Sequence, residues 1–355
     1  MSNFRQTHLL IFFLFFGKII LFAQKDTVRS IDPAADLYKS GIKKMDSLRF
    51  KEALQIFQKA LKKNSQMTEC YNKMAFCKMK LNDFEGASED LQKSLQLQPD
   101  NYECIKYLGR SYFFDKKYNE AKRTYDEALK LNPNDFELLF FVAELKAVGR
   151  DLKGAIDLFT ACINEKENYA EAYFQRAFLK FDLEDFNYSI KDITDGFRYR
   201  KDTAFYLEAQ ECRAKARFQV GDFKGCAEDY SKILERSPKH ENSLTFRGAA
   251  RIYLNDNSGA IDDLSKAIEI NKKSYVAFNF RGVAKGGNKQ YVEALKDLDQ
   301  AIKIKFNYAS AYVNRASIKM ASRDKKGACA DLEKADQLGS DVAYKLIQKY
   351  CSNSR

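Results

Sequence analysis

The segment that decides the fold is Tyr102–Pro133, which reads YECIKYLGRSYFFDKKYNEAKRTYDEALKLNP. Its apolar residues return every three or four positions in two stretches of about a dozen residues, a pattern that predicts two amphipathic helices. A short polar turn separates the two stretches, and Pro133 ends the second one because proline cannot continue a helix. The segment therefore predicts a helical hairpin.

The same pattern recurs along the chain with a period of 34 residues, and one step of 37 separates Ala177 from Ala214. Small residues form one column: Gly41, Ala75, Gly109, Ala143, Ala177, Ala214, Gly248, Gly282 and Ala316. Large apolar residues follow sixteen positions later: Phe57, Leu91, Tyr125, Phe159, Ile193, Tyr230, Leu264, Leu298 and Leu332. Small residues let two helices approach closely, and the large residue fills the groove beside them. The nine copies therefore predict nine hairpins.

This pattern resembles the tetratricopeptide repeat (TPR), whose 34-position consensus combines large, small and aromatic residues with a closing proline. Tyr102–Pro133 carries that consensus at Leu108, Gly109, Tyr112, Tyr118, Ala121, Tyr125, Ala128 and Pro133. The resemblance implies an all-α fold, a right-handed superhelical solenoid of about nine TPR hairpins with a concave inner face. It also implies that the amphipathic stretch Asp341–Cys351 is a C-terminal capping helix, which covers the last apolar face.

The first 23 residues differ from the repeats. Arg5 precedes the purely apolar run Leu9–Phe16, and Leu21–Ala23 ends in a small residue, which is the layout of a secretory signal peptide. We therefore expect a signal peptide at 1–23, cleaved after Ala23, and export to the periplasm, the cell envelope or the medium of a bacterium. The alternative is an uncleaved segment that anchors the protein in a membrane.

The rest of the chain divides by the repeat register. We expect a linker at 24–33, nine repeats at 34–340, and a capping helix with a tail at 341–355. The step of 37 residues predicts a longer loop near 198–202. No second apolar stretch follows the signal segment, so the mature chain is predicted to have no transmembrane domain.

The composition argues against an enzyme. The 355 residues include only two histidines, His8 and His240, and histidine is the usual general base and metal ligand near neutral pH. No nucleophile elbow, zinc-protease or phosphate-loop motif occurs, so we expect no catalytic residue, no metal and no cofactor. The formal net charge is +11, but at most three basic residues are consecutive, and nucleic-acid binding is not expected.

Five consecutive copies pair an arginine with an aspartate sixteen residues later: Arg176 with Asp192, Arg213 with Asp229, Arg247 with Asp263, Arg281 with Asp297, and Arg315 with Asp331. The arginine precedes the small residue of the first helix, and the aspartate precedes the large residue of the second, so both lie beside packed faces. A planar guanidinium suits a carboxylate at a partly buried site. We interpret these residues as structural ion pairs, and the alternative is a ladder that binds anions.

Glutamates recur at the start of the first helices: Glu69, Glu103, Glu137, Glu171 and Glu208. Acidic residues in a first turn stabilise the helix dipole, and the alternative is an acidic stripe that recognises basic ligands.

The eight cysteines show no metal-binding spacing. Cys162 and Cys226 occupy small-residue columns, where cysteine acts as a small apolar side chain. Cys70 and Cys104 take equivalent positions in neighbouring copies, too far apart for a disulfide. Their placement disfavours disulfide bonds.

The family resemblance implies that the first helices line the concave face. Inward positions on this face are Lys106, Arg110, Phe140, Phe174, Phe178 and Lys215. We expect them to contact a partner, because aromatic residues anchor many protein interfaces, but the phenylalanines could instead fill the core between copies. The sequence thus predicts a non-catalytic scaffold for a protein or extended peptide. The alternative is an envelope accessory factor that binds glycan or assists an enzyme complex.

Overall fold

The structure, a computed structural model, describes residues 32–200 and 206–351. Within these ranges it contains nineteen α-helices and no strand, which confirms the predicted all-α class. None of the helices in these ranges is both long and apolar enough to cross a bilayer. The expected signal peptide, most of the expected linker, residues 201–202 of the expected loop and the tail after Cys351 lie outside the described residues.

The helices follow one another with short connections. They are α1 (Pro33–Asp46), α2 (Phe50–Lys63), α3 (Thr68–Lys80), α4 (Phe84–Leu97), α5 (Tyr102–Phe114), α6 (Tyr118–Leu131), α7 (Phe136–Val148), α8 (Leu152–Glu165), α9 (Ala170–Asp182), α10 (Phe186–Tyr199), α11 (Tyr206–Gln219), α12 (Phe223–Arg236), α13 (Glu241–Tyr253), α14 (Asn257–Ile270), α15 (Tyr275–Gly287), α16 (Tyr291–Ile304), α17 (Ala309–Ala321), α18 (Lys325–Gln337) and α19 (Asp341–Tyr350).

The chain divides into two units. The first unit comprises residues up to Leu179 together with Asp195–Arg200, and the second comprises Lys180–Thr194 and the residues from Lys201 onward. The first contains the hairpins α1–α2, α3–α4, α5–α6 and α7–α8, and the second contains α11–α12, α13–α14, α15–α16 and α17–α18. Within each unit every hairpin packs against the next, and α19 packs on α18. The predicted stack of hairpins with a capping helix is confirmed.

The small residues of the first helices set how closely a hairpin packs. A Cβ atom added at Gly109 would lie 2.5 Å from the Tyr125 ring, and one added at Gly248 would lie 2.7 Å from the Leu264 side chain. Both large residues are fully buried. Burial of a leucine such as Leu264 stabilises the fold by about 2 kcal/mol. The small residue and the large residue sixteen positions later are therefore in direct contact within the hairpin.

The turn inside each hairpin contains one residue with a left-handed backbone. Positive φ occurs in repeat register at Leu48, Asn82, Lys116, Arg150, Glu184, Gly221, Asn255, Lys289 and Arg323. The N–H of Lys116, for example, donates to the Phe113 carbonyl at 3.1 Å, which closes the first helix. A Cβ atom disfavours this conformation by about 1 kcal/mol, so Gly221 is the residue best suited to it.

An aspartate caps the second helix in five hairpins. Asp256 accepts a hydrogen bond from the N–H of Gly259 at 2.9 Å, and a Cβ added at Gly259 would lie 2.3 Å from Asp256 Oδ2. The same pairing joins Asp83 to Gly86, Asp151 to Gly154, Asp222 to Gly225, and Asp324 to Gly327. The capping carboxylate occupies the space that another residue's Cβ needs, which explains the glycine three positions after the cap.

A disulfide bond joins Cys329 on α18 to Cys351, which directly follows α19, with the two Cα atoms 5.9 Å apart. The expectation that no disulfide forms is wrong for this pair. That expectation followed from cysteines in repeat register, whereas Cys351 lies beyond the repeats, where no equivalent position constrains it. The other six cysteines are free thiols, and burial raises the pKa of Cys77 to about 12. The bond fastens the capping helix to the last hairpin.

Candidate functional site

Four of the predicted ion pairs have two hydrogen bonds each, at 2.5–2.9 Å: Arg213 with Asp229, Arg247 with Asp263, Arg281 with Asp297, and Arg315 with Asp331. All four aspartates are buried, and bidentate geometry is the strongest form of this interaction. We call these pairs, together with Asp192, the ladder.

The members of the fifth predicted pair, Arg176 and Asp192, belong to different units. In the first unit, Arg176 donates to Thr160 Oγ1 at 2.9 Å. In the second unit, the buried Asp192 contacts Lys180 at 2.9 Å. Bidentate pairing is shown for the four copies from Arg213 onward.

The predicted pairing of one arginine with one aspartate is incomplete, because each ladder aspartate also contacts a second cation. Asp297 contacts Lys285 at 2.7 Å as well as Arg281, and Asp331 contacts Lys319 at 2.8 Å as well as Arg315. The same second contact joins Arg217 to Asp229 at 2.9 Å and Arg251 to Asp263 at 2.8 Å. For Asp192 the cation at this position is Lys180.

The second cation lies four residues after the arginine, which is one helical turn further on. A buried carboxylate needs a partner for each of its two oxygens, and the two cations together provide them. The second cation was not predicted, although a basic residue at this spacing repeats in five copies.

The arginines also connect neighbouring hairpins. Arg247 donates to Ser231 Oγ at 3.1 Å, and Arg281 donates to Ser265 Oγ at 3.1 Å, in each case on the second helix of the preceding hairpin. One guanidinium thus binds a carboxylate of its own hairpin and a hydroxyl of the one before. The ladder stabilises the stack of the second unit, and we do not take it as a site for anions.

Lys106 and Arg110, expected on the binding face, are buried. Lys106 is only 3% exposed, and its Nζ contacts three carboxylates at 2.7–3.1 Å: Glu103, Asp135 and Glu137. Burial alone would lower the pKa of Lys106, but these carboxylates outweigh burial and raise it. Arg110 is ion-paired with Glu144. Both cations therefore hold α5 to α7, and neither side chain offers a free surface to a partner.

The phenylalanines expected to anchor a partner belong to the core. Phe140, Phe174 and Phe178 are 4%, 0% and 6% exposed. Phe174 packs against Phe197 with a centroid distance of 5.2 Å. Of the six residues predicted to bind, Lys215 alone reaches the surface, where it is ion-paired with Glu211 at 2.7 Å. The candidate binding surface must therefore be drawn from other residues.

A cleft of about 340 Å³ lies in the first unit, lined mainly by the first helices of the first three hairpins, α1, α3 and α5. Its apolar lining comprises Tyr38, Met45, Ala75, Phe76, Met79, Leu91 and Tyr107. Its polar lining comprises Glu69, Asn72, Lys73, Glu103 and Cys104. We call it the first-helix cleft. No group of three metal-ligating side chains comes together in residues 32–200 and 206–351.

The apolar lining is concentrated on α3. Phe76 and Met79 are half-buried there, on a helix whose Ala75 packs inward. Four of the six methionines of the chain lie between Met45 and Met79, and methionine adapts to differently shaped apolar ligands. This local enrichment is the sequence signal that could have pointed to the cleft.

The polar lining is partly fixed by hydrogen bonds and partly exposed. Cys104 Sγ donates to Asn72 Oδ1 at 2.7 Å, which ties α5 to α3. Burial raises the pKa of Glu103, although Lys106 opposes that effect. Glu69 is exposed. The cleft therefore combines adaptable apolar side chains with carboxylates, and it can bind an apolar group.

Consecutive helical hairpins in one repeat register define a helical repeat protein. More narrowly, residues 102–135 match the model of the tetratricopeptide repeat, which supports the resemblance predicted from the sequence. Residues 43–109 match the model of the coatomer epsilon subunit. No curated protein matches the sequence.

Several solved structures are similar to this chain. A tetratricopeptide repeat protein from Parabacteroides merdae is 17% identical over 80% of this chain and 99% of that chain, with a TM-score of 0.42. Yeast Tom70 is 15% identical over 90% and 94%, with a TM-score of 0.40. A thermophilic TPR protein of Thermus thermophilus is 15% identical over 52% and 97%, with a TM-score of 0.43. Similarity at this level carries no information about a partner.

Proposed function

We propose that the protein is a non-catalytic scaffold that binds a segment of a protein partner in the first-helix cleft. The cleft itself carries the proposal: its volume of about 340 Å³ lies within the usual size of binding pockets, about 300–1,000 Å³. The repeat fold is typical of scaffolds for protein interactions. A partner would cover Phe76 and Met79, which are half-exposed side chains of types that are enriched in protein interfaces.

Capture experiments test this proposal with one cleft variant and one matched control. Met79→Glu places a charge in the apolar lining, whereas Val292→Glu makes the same kind of change on α16, where Val292 is 63% exposed. We expect Met79→Glu to reduce partner capture from an envelope extract by at least about tenfold and Val292→Glu to leave it unchanged. Both variants must melt as the wild type does. Equal capture by the two variants would contradict a role for the cleft.

Glycan binding, the alternative from the sequence, gains no support here. It relied on aromatic side chains along the inner face, and Phe140, Phe174 and Phe178 are buried.

We also propose that the mature protein works outside the cytoplasm. The Cys329–Cys351 bond supports export, because disulfides persist in oxidising compartments and are rare in the cytosol. Protein taken from its native cells under alkylating conditions should begin near Gln24 or Lys25 and have six alkylated cysteines after unfolding. A product that retains residues 1–10 would favour the membrane-anchored alternative. Eight alkylated cysteines would contradict the oxidising location.

A further inference from the structure

We propose that the segment bound by the first-helix cleft carries an apolar side chain flanked by basic residues. This inference rests on the proposed function, and it adds the chemistry of the partner.

The charges around the cleft favour a basic ligand. Glu69 and Glu103 line it one repeat apart, at the starts of α3 and α5. Asp135 and Glu137, at the start of α7, join Glu103 around Lys106. These four carboxylates share the region with the ammonium groups of two lysines, Lys73 in the lining and Lys106 beside it.

This local excess of two negative charges is opposite in sign to the chain as a whole, which has a formal net charge of +11. Charges beside an apolar cleft are screened less than charges in open solvent. A basic partner segment is therefore favoured in this region over an acidic one.

An acidic segment would find no comparable site among these residues. The Nζ of Lys106 already contacts three carboxylates, and its side chain is 4% exposed. Glu69, in contrast, is exposed, and its carboxylate accepts a hydrogen bond from Thr68 Oγ1 at 3.4 Å. Lys73 is only half-exposed, so the most exposed charged groups of this lining are the carboxylates of Glu69 and Glu103.

The apolar lining specifies the second half of the ligand. Phe76 and Met79 lie on the same helix as Glu69, two and nearly three turns further along α3. A peptide that places a basic residue against Glu69 would bring an apolar side chain to these residues within a few positions. The methionines tolerate an aromatic or a branched side chain, so the cleft selects apolar residues as a class and not one residue type.

Selection from a display library of random twelve-residue peptides on the purified protein tests the inference. We expect the enriched peptides to carry lysine or arginine within a few positions of an apolar residue. Their affinity should fall about tenfold in Glu69→Lys, with a steeper loss at low salt. Glu89→Lys is the control, since Glu89 is exposed on α4 outside the cleft and the charge change is the same. It should alter affinity less than about twofold.

The two ways in which this experiment can fail are distinguishable. Enriched peptides that bind in the cleft, as shown by their loss in Met79→Glu, but lack basic residues would overturn the inference and leave the proposed function standing. Peptides that bind equally to wild type and Met79→Glu, or a selection without enrichment, would count against the cleft as a binding site and thus against both.

Discussion

Hairpins of the two units fill the same repeat position with opposite kinds of side chain. Before the small residue of the first helix, the second unit has arginine in four successive hairpins, whereas the hairpins α3–α4, α5–α6 and α7–α8 of the first unit have Met74, Leu108 and Val142, all buried. Sixteen residues later the second unit has buried aspartates, and the first has Asp90, Thr124 and Leu158. The hairpin backbone therefore accepts either apolar packing or an ion pair at this position.

Asp90 shows an intermediate case. It lacks the arginine, since Met74 stands there, but it has the second cation, Lys78, at 2.7 Å. Burial raises the pKa of Asp90 and Lys78 opposes that effect. The ladder is therefore an arrangement that the second unit repeats in successive hairpins. The first unit has buried charges in contacts of other kinds, such as those of Lys106 and Arg110, and it contains the cleft.

The largest expected effect comes from removing one ladder aspartate. Asp229 is completely buried and accepts hydrogen bonds from Arg213 and Gln210. Asp229→Ala leaves cations without their carboxylate and should lower the free energy of unfolding by about 3–5 kcal/mol. Leu158→Ala, at the equivalent position of the first unit, should cost about 1–2 kcal/mol, because Leu158 is only half-buried. Urea titrations measure the free energy of unfolding of both variants. Equal losses would contradict the expected difference between the two units.

A smaller effect is expected from the arginine column. Arg247→Ala should cost about 1–3 kcal/mol, because it removes two hydrogen bonds from the buried Asp263. Arg247→Met recreates the Asp90 arrangement, since Arg251 remains on Asp263 at 2.8 Å, and should cost less than the alanine. Lys272→Ala, on an exposed side chain, is the control and should change stability by less than about 0.5 kcal/mol. Melting temperatures that fall equally for Arg247→Ala and Lys272→Ala would show that the arginine adds no stability.

The smallest expected effect separates the turns of the two units. In the turns of the hairpins from α1–α2 to α7–α8, the residue at positive φ is never glycine: it is Leu48, Asn82, Lys116 or Arg150. In the second unit, one turn has a glycine at this position, Gly221. Lys116→Gly should stabilise the protein by about 1 kcal/mol, because glycine adopts this conformation without a steric penalty. Lys117→Gly is the control at negative φ and should not stabilise. Thermal melting checks both, and a lower melting temperature for Lys116→Gly would contradict the steric argument.

The hairpins were predictable from the sequence because their contacts lie within one repeat. Gly109 and Tyr125 are sixteen residues apart and touch directly, so a period of 34 with two columns specifies the packing. Glycines such as Gly259 can also be read from the sequence. Their role as partners of a capping aspartate cannot, because it depends on the distance between the carboxylate and the glycine backbone.

The candidate site was less predictable because it depends on neighbouring repeats. Lys106 is buried by carboxylates of α7, about thirty residues away, and a pattern read on one helix cannot show whether the next repeat covers an inward side chain. The same reason applies to Phe140 and Phe174. The cleft likewise depends on neighbouring repeats, because it lies where their first helices leave space. The sequence signal that indicates it is the concentration of methionines in and near α3.

The Cys329–Cys351 bond also has a mechanical consequence. A pull on the C-terminus reaches Cys351 and passes through the sulfur atoms to Cys329, 22 positions earlier, so the segment between the two cysteines carries no load. Complete extension of the chain is then shorter by about 75 Å than in the reduced protein, at about 3.5 Å of contour per residue. The end of α18 and the whole of α19 are shielded from tension, and the solenoid cannot be peeled open from its C-terminal helix.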